Sequence, residues 1–254
     1  MKANRLRWLL LFLLGSAVFQ LPAQQSEADR KLRPPVGGFG GGPLFATQPS
    51  DADRKWLADT RAKAEKGDVE SQLEMGAAFE LGIPGAAKND AEALKWYRKA
   101  AEQGDAAAQS TLADCYLNGR GVARDKREAV NWFRKAAKQG DRIAQFSLGT
   151  SFAFGQGVAK DEVEAVRWYR KAAEQNLGDA ELYLGISYVN GEGVAKDYVE
   201  AYKWTLLASA RGMQVAKKIV SLLERTMTRE QIAEGQELAR NFKPRAVLGS
   251  ESDH

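Results

Sequence analysis

Small, bulky and aromatic residues recur in this chain at spacings of zero, four, five and eight. The sets are Ala108, Leu112, Ala113 and Tyr116, then Ala144, Leu148, Gly149 and Phe152, then Ala180, Leu184, Gly185 and Tyr188. That spacing places each set on one face of a helix. More polar segments lie between, in which alanine and tryptophan share a side: Ala165, Trp168 and Ala172 behind Glu164, with counterparts in the other segments. The pattern predicts first helices over 69–81, 106–118, 142–154 and 179–190, and second helices over 90–103, 126–139, 162–175 and 198–211. The small residue five places along each first helix lets a neighbouring helix approach closely.

The pattern has a fixed period. Trp96, Trp132, Trp168 and Trp204 are each 36 residues apart, within KWYRKAAEQGD, NWFRKAAKQGD, RWYRKAAEQN and KWTLLASARG. A period of this length marks a solenoid of stacked helix-turn-helix units that bury their apolar faces against one another. The fold class is therefore all-α. Tryptophans repeated in register are expected inside the core rather than at a ligand site.

The turns repeat as well. Gly119-Arg120-Gly121-Val122, Gly155-Gln156-Gly157-Val158 and Gly191-Glu192-Gly193-Val194 fall in step. Glycine just past a helix supplies the left-handed residue that closes it. Asp125, Asp161 and Asp197 then cap the next helix, with Glu128, Glu164 and Glu200 in its first turn, where the dipole favours an acid. The first repeat differs: Gly82-Ile83-Pro84-Gly85 is one residue longer, and Asn89 takes the aspartate's role. These glycines lack the Lys-Ser/Thr of a phosphate loop and read as structural.

Atypical ends are expected of a solenoid, because one face meets water. Residues 51–68, with Trp56, Leu57 and Ala64 on one side, read as an amino-terminal capping helix ahead of four repeats over 69–212. Residues 213–243 read as a carboxy-terminal pair, with Thr228 and Gln231 forming a capping box. Residues 24–50 include LRPPVGGFGGGPLF, too rich in Pro and Gly for a regular element, and read as a disordered linker; 244–254 read as a disordered tail. Residues 1–23 place a basic stretch before an apolar run from Trp8 to Val18, the layout of a secretory signal peptide cut after Ala23. The protein is thus expected to be periplasmic or secreted, the alternative being an inner-membrane anchor left uncleaved. The run is shorter than the roughly 20 residues of a spanning helix, so no stable span is expected after cleavage.

Charge changes the picture little. The formal +4 includes Lys2, Arg5 and Arg7, and without that leader 34 bases face 33 acids, which gives no nucleic-acid footprint. Cys115 is the only cysteine, so no intramolecular disulfide forms, and its small counterparts Ala78, Ser151 and Ser187 mark it as a packed, inert thiol. The single histidine is His254, which leaves a serine or cysteine nucleophile without an imidazole base and zinc without a ligand cluster. No enzyme, metal or cofactor is expected.

The residues Ala108, Leu112, Tyr116, Gly119, Gly121, Val122, Asp125, Glu128, Ala129, Trp132, Ala136 and Ala137 carry a pattern that resembles the Sel-like repeat family, relatives of the tetratricopeptide repeats. The resemblance covers residues 66–212, and 228–244 is similar to the helix that closes such arrays. It implies a right-handed α/α superhelix that acts as a scaffold or adaptor for a protein or peptide partner in the bacterial envelope. The cysteine-rich relatives linked to β-lactam binding have paired cysteines that this chain lacks. The alternative function is a cell-wall or glycan-binding module, with aromatics and asparagines on sugar.

In tetratricopeptide-like arrays the first helices line the concave groove, so the candidate partner residues are those that vary there. Two places before the core Leu or Met stand Leu73, Ser110, Phe146 and Leu182; two places after it stand Ala77, Asp114, Thr150 and Ile186. Further along come Leu117, Phe154 and Val189, with Asn118 and Asn190. Phe146, Phe154, Leu182 and Ile186 are expected to form an exposed apolar patch, flanked by Asp114, Asn118 and Asn190 to hold a peptide backbone.

Overall fold

The computed structural model describes residues 49–245. The expected signal peptide, almost all of the linker and the tail beyond 245 lie outside the described residues. Eleven helices and no strand occur among those described. They are α1 (Asp51–Glu65), α2 (Val69–Leu81), α3 (Asp90–Glu102), α4 (Ala106–Asn118), α5 (Lys126–Lys138), α6 (Arg142–Phe154), α7 (Glu162–Glu174), α8 (Gly178–Asn190), α9 (Tyr198–Ala210), α10 (Gln214–Glu224) and α11 (Arg229–Asn241). Each predicted repeat helix appears within a residue of its expected bounds.

Local chemistry sets those bounds. Asp125 Oδ1 accepts from the amides of Arg127 and Glu128, and Asp161 and Asp197 repeat the arrangement. Each bond satisfies amides that a helix start leaves orphaned, a contribution of about 1 kcal/mol. At the other ends Gly82, Gly119 and Gly191 are left-handed and donate back to the helix. Ser50 with Asp53 and Thr228 with Gln231 close reciprocal capping boxes on α1 and α11.

Two compact units emerge, 49–141 and 142–245 among the described residues. In the first, α1 covers α2 through Leu57 and Ala64, which pack with Met75 and Trp96. The repeats behind them join Leu73, Leu94, Tyr97, Leu112 and Cys115. In the second, Phe146, Tyr169, Leu184, Tyr202, Ile219 and Leu223 form one core, with α10 and α11 packed against α9. Burying one such side chain contributes roughly 1.5–3 kcal/mol.

The tryptophans depart from expectation. Trp96 and Trp204 are buried, but Trp132 and Trp168 are only half-buried. A lysine covers each ring: Lys99, Lys135, Lys171 and Lys203 lie 4.1, 3.6, 4.2 and 4.5 Å from the centroids of Trp96, Trp132, Trp168 and Trp204. The deepest position is the next residue, occupied by Tyr97, Phe133, Tyr169 and Thr205, none more than 2% exposed. A further 100° around the helix carries that residue directly onto the first helix of its own repeat. There the small residue at the fifth place makes room. A Cβ on Gly149 would lie 2.8 Å from the Tyr169 ring, and one on Gly185 2.6 Å from the Thr205 methyl.

Buried glutamines tie the repeats. Gln72 Nε2 donates to the Ala64 carbonyl and Gln109 Nε2 to that of Ala101, each from the preceding element. Each is met from its own second helix, Gln103 on Gln72 at 2.8 Å and Gln139 on Gln109 at 2.9 Å; Gln175 on Gln145 at 2.7 Å repeats this in the third repeat. The fourth repeat replaces the pair by Glu181 and Arg211, joined at 2.9 and 3.0 Å.

Candidate partner-binding face

Along each first helix one stripe stays open while most of the remainder is buried, the last turn being half-buried at Phe79, Glu80, Tyr116, Leu117, Phe152 and Ala153. In α8, residues 180–189 are buried except Tyr183, so Asp179, Tyr183 and Asn190 are the accessible positions. The same register gives Ile143, Ser147, Thr150 and Phe154 on α6, and Ala107, Asp114 and Asn118 on α4. On α2 it gives Glu70, Glu74 and Leu81. Phe154 is 48% and Leu81 65% exposed, so each stripe of large accessible apolar carbon ends at a helix terminus.

The expected partner residues divide between this stripe and the core. Asp114, Leu117, Thr150 and Asn190 are half-buried, and Asn118 and Phe154 exposed. Leu73, Ser110, Phe146, Leu182, Ile186 and Val189 are buried, and so is Ala77. The expected apolar patch of Phe146, Phe154, Leu182 and Ile186 is therefore corrected: only Phe154 is open. Positions two before and two after the core leucine are only about 40° apart around a helix, and repeat packing closes over the former edge. Phe146 shows the reason directly, its ring lying 5.7 Å from Tyr169 and 5.4 Å from Tyr183. Asn118 and Thr150 also bond back to their own helix, at the carbonyls of Asp114 and Phe146.

The stripe positions about two and three turns before Leu81 and Asn190, namely Glu74 and Tyr183 and then Glu70 and Asp179, are not singled out by the repeat pattern. A helical step of seven back from Ala77 or Ile186 would have found Glu70 and Asp179. Burial raises the Glu74 pKa, with the Glu70 charge adding to it, and burial also raises that of Asp179. The accessible face thus carries acids that water only partly solvates.

The two units finish this face differently. In the first, the Tyr97 hydroxyl donates to Glu80 at 2.6 Å, and Arg120 from the next repeat's turn ion-pairs with Glu80 and reaches Asp114 at 3.4 Å. In the second, the buried Tyr169 hydroxyl has no carboxylate to donate to, and its polar neighbour is the Thr150 hydroxyl. Burial pushes its pKa up, opposed by the Thr150 hydroxyl. Elsewhere, an open depression at the α1–α2 turn is lined by Lys63, Lys66, Asp68, Glu70, Ser71 and Glu74. Among the described residues no group of three His, Cys, Asp or Glu side chains is placed to hold a metal, and no helix is long and apolar enough to cross a membrane.

Comparison with known proteins adds the family context. The Sel1 repeat model matches residues 69–105, 106–141, 142–177 and 178–213. A protective antigen of uropathogenic Escherichia coli strains, with an SLR fold, is 36% identical over 80% of this chain and 45% of its own, at a TM-score of 0.69. A Sel1 repeat protein from Oxalobacter formigenes is 26% identical over 74% of this chain and 56% of its own, at a TM-score of 0.62. The chain thus spans about half the length of these solved relatives. No curated protein sequence matches it significantly.

Proposed function

Because the chain belongs to the Sel1 repeat family, whose members are generally protein-interaction scaffolds, we propose that it holds a partner polypeptide along its first-helix stripe. The observation that carries this is the contrast within each first helix: most other positions are buried, and the open stripe changes residue from repeat to repeat. Phe154 supplies an apolar anchor, and its neighbours supply hydroxyls and acids. The second helices are poorer candidates, since their tryptophans already carry lysines of the same helix. The same lysines disfavour a glycan-binding module, which needs bare aromatic platforms.

Photo-cross-linking tests the face. With p-benzoylphenylalanine at Phe154, irradiation of cells that express the protein should yield a discrete partner adduct, whereas the same group at Lys135 should not. Adducts from Lys135 alone would refute the assignment. Residence in the bacterial envelope is part of the same proposal, suggested by the basic-apolar leader, and a mature chain that begins after Ala23 would support it. A cytoplasmic chain retaining Met1 would argue the opposite.

A further inference from the structure

Beyond α11 the chain lies across the second unit as an extended segment. Lys243 precedes Pro244, which disfavours helical backbone at the lysine, and Phe242 already leaves the helix at φ −65° and ψ 123°. The Phe242 ring then meets Trp204 of α9 edge-on, with centroids 5.2 Å apart and planes at 70°. Three residues on, the Arg245 amide donates to the Glu174 carbonyl at 2.7 Å, and the Arg245 guanidinium stands 3.8 Å from the Glu174 carboxylate. Glu174 closes α7, so its carbonyl is one of those that a helix end leaves without an intrahelical amide. Three extended residues span roughly 10 Å, about the separation of neighbouring packed helices, and one short segment thus bridges α9 and α7.

The fourth repeat is fitted to receive it. Three places past the other tryptophans stand Lys99, Lys135 and Lys171, each lying over its ring, whereas the fourth repeat has Leu207, half-buried against the second unit's core. The cation on Trp204 comes instead from the residue before it, Lys203, at 4.5 Å. With Phe242 against it Trp204 is 4% exposed, while its counterpart Trp168 is half-buried. The anchors are those of a bound peptide: a ring on a ring, a main-chain N–H on a free carbonyl, and a guanidinium on a carboxylate. None is core packing, since Lys243, Pro244 and Arg245 are exposed and Phe242 is half-buried. A segment held in this way opens at a far lower free energy than the helices beneath it.

We propose that α7 and α9 form a groove for an extended peptide, which the chain fills in cis with residues 242–245. A partner segment that carries an aromatic residue and, three places on, a basic one displaces this latch and takes the same three anchors. The groove lies on second helices, so it stands or falls independently of the first-helix stripe.

The test offers residues 241–245 in trans, as a capped synthetic peptide with 4-fluorophenylalanine in place of Phe242, and follows its fluorine resonance on adding protein. The full chain with Phe242→Ala and Arg245→Gln should keep parental helicity and bind this peptide with a Kd of about 1 mM, as suits three exposed anchors. The parent should bind it severalfold more weakly, because its own tethered copy competes at an effective concentration of about millimolar or above. A folded variant that takes no peptide up to about 10 mM would overturn the inference. So would a parent that binds as well as the variant, or a scrambled peptide that binds as well as the ordered one. Should the variant lose helicity, hydrogen exchange in the parent decides. The Arg245 amide should exchange more slowly than in the free peptide, yet about a hundredfold or more faster than the buried amides of α9. Exchange at the free-peptide rate, or only with global unfolding, would overturn the latch.

Discussion

Arg211→Met should destabilise the second unit far more than loss of a surface ion pair would. Glu181 is fully buried, and its carboxylate depends on two hydrogen bonds from the Arg211 guanidinium, at 2.9 and 3.0 Å. Arg211 is about a third exposed and also bonds Asn176, so it keeps some solvation of its own. Removing it strands a carboxylate where water is excluded. Such losses cost about 3–5 kcal/mol, and the exposure of Arg211 places this one near 3 kcal/mol. For about 200 ordered residues that corresponds to a fall in Tm of about 6–12 °C.

The neighbouring repeats supply the control. Their Gln–Gln pairs occupy the same positions, so Glu181→Gln with Arg211→Gln installs an arrangement the fold already uses at Gln109 and Gln139. That double variant should lie within about 1 kcal/mol of the parent, because a satisfied neutral pair replaces a satisfied charged one. Urea melts of the parent, Arg211→Gln, Glu181→Gln and the double variant close the cycle, with Arg211→Met measured beside them, urea being chosen because it does not screen charge. An Arg211→Met loss below about 1 kcal/mol would place the pair in the surface class and refute the reasoning. So would a double variant as unstable as the single.

Three further outcomes follow from the packing. Gly193→Ala should cost more than Gly149→Ala, and Gly149→Ala more than Gly212→Ala, in thermal melts. Gly193 has φ +68° and a new Cβ would strike the Glu162 carbonyl, Gly149 faces the Tyr169 ring at 2.8 Å, and Gly212, at φ +87°, has open space. Roughly 1–3 kcal/mol is expected for the overpacked Gly149 and 1–2 kcal/mol for strain alone at Gly212; equal melting points would refute the ranking. Cys115 should resist a thiol-exchange reagent until urea unfolds the chain, since burial pushes its pKa up to about 12. The unfolded thiol ionises first, so Cys115 contributes stability that is full below about pH 8 and declines as pH rises from 9 to 12. Labelling at pH 8 in native buffer at the rate of a free thiol would disprove its burial.

How far the sequence reached depended on whether a feature is local. Helix bounds, caps and turn glycines are written within a few residues, and 36-residue repetition wrote each of them several times over. The register of buried faces is less local, which is why Trp132 and Trp168 were expected inside while Phe133 and Tyr169 hold the deepest places. Both neighbours in each pair are aromatic, and a rotation of 100° decides between them. The candidate face was half legible for the same reason: Phe154 and Asn118 sit on the open stripe, whereas Phe146 and Leu182 turn into the core. The Gln ladder was visible in AEQGD, AKQGD and AEQNL as a constant letter, but its meaning needs the partner 30 residues away in the same repeat. The fourth repeat makes the point most fully. Glu181, Arg211 and Gly178 all break the consensus, and only in space do they become one change. A Cβ at Gly178 would lie 2.8 Å from the Arg211 stem, so the glycine admits the arginine and the arginine answers the buried glutamate. Departures from a repeat are therefore informative in sets, joined by contact, as Glu181, Arg211 and Gly178 are.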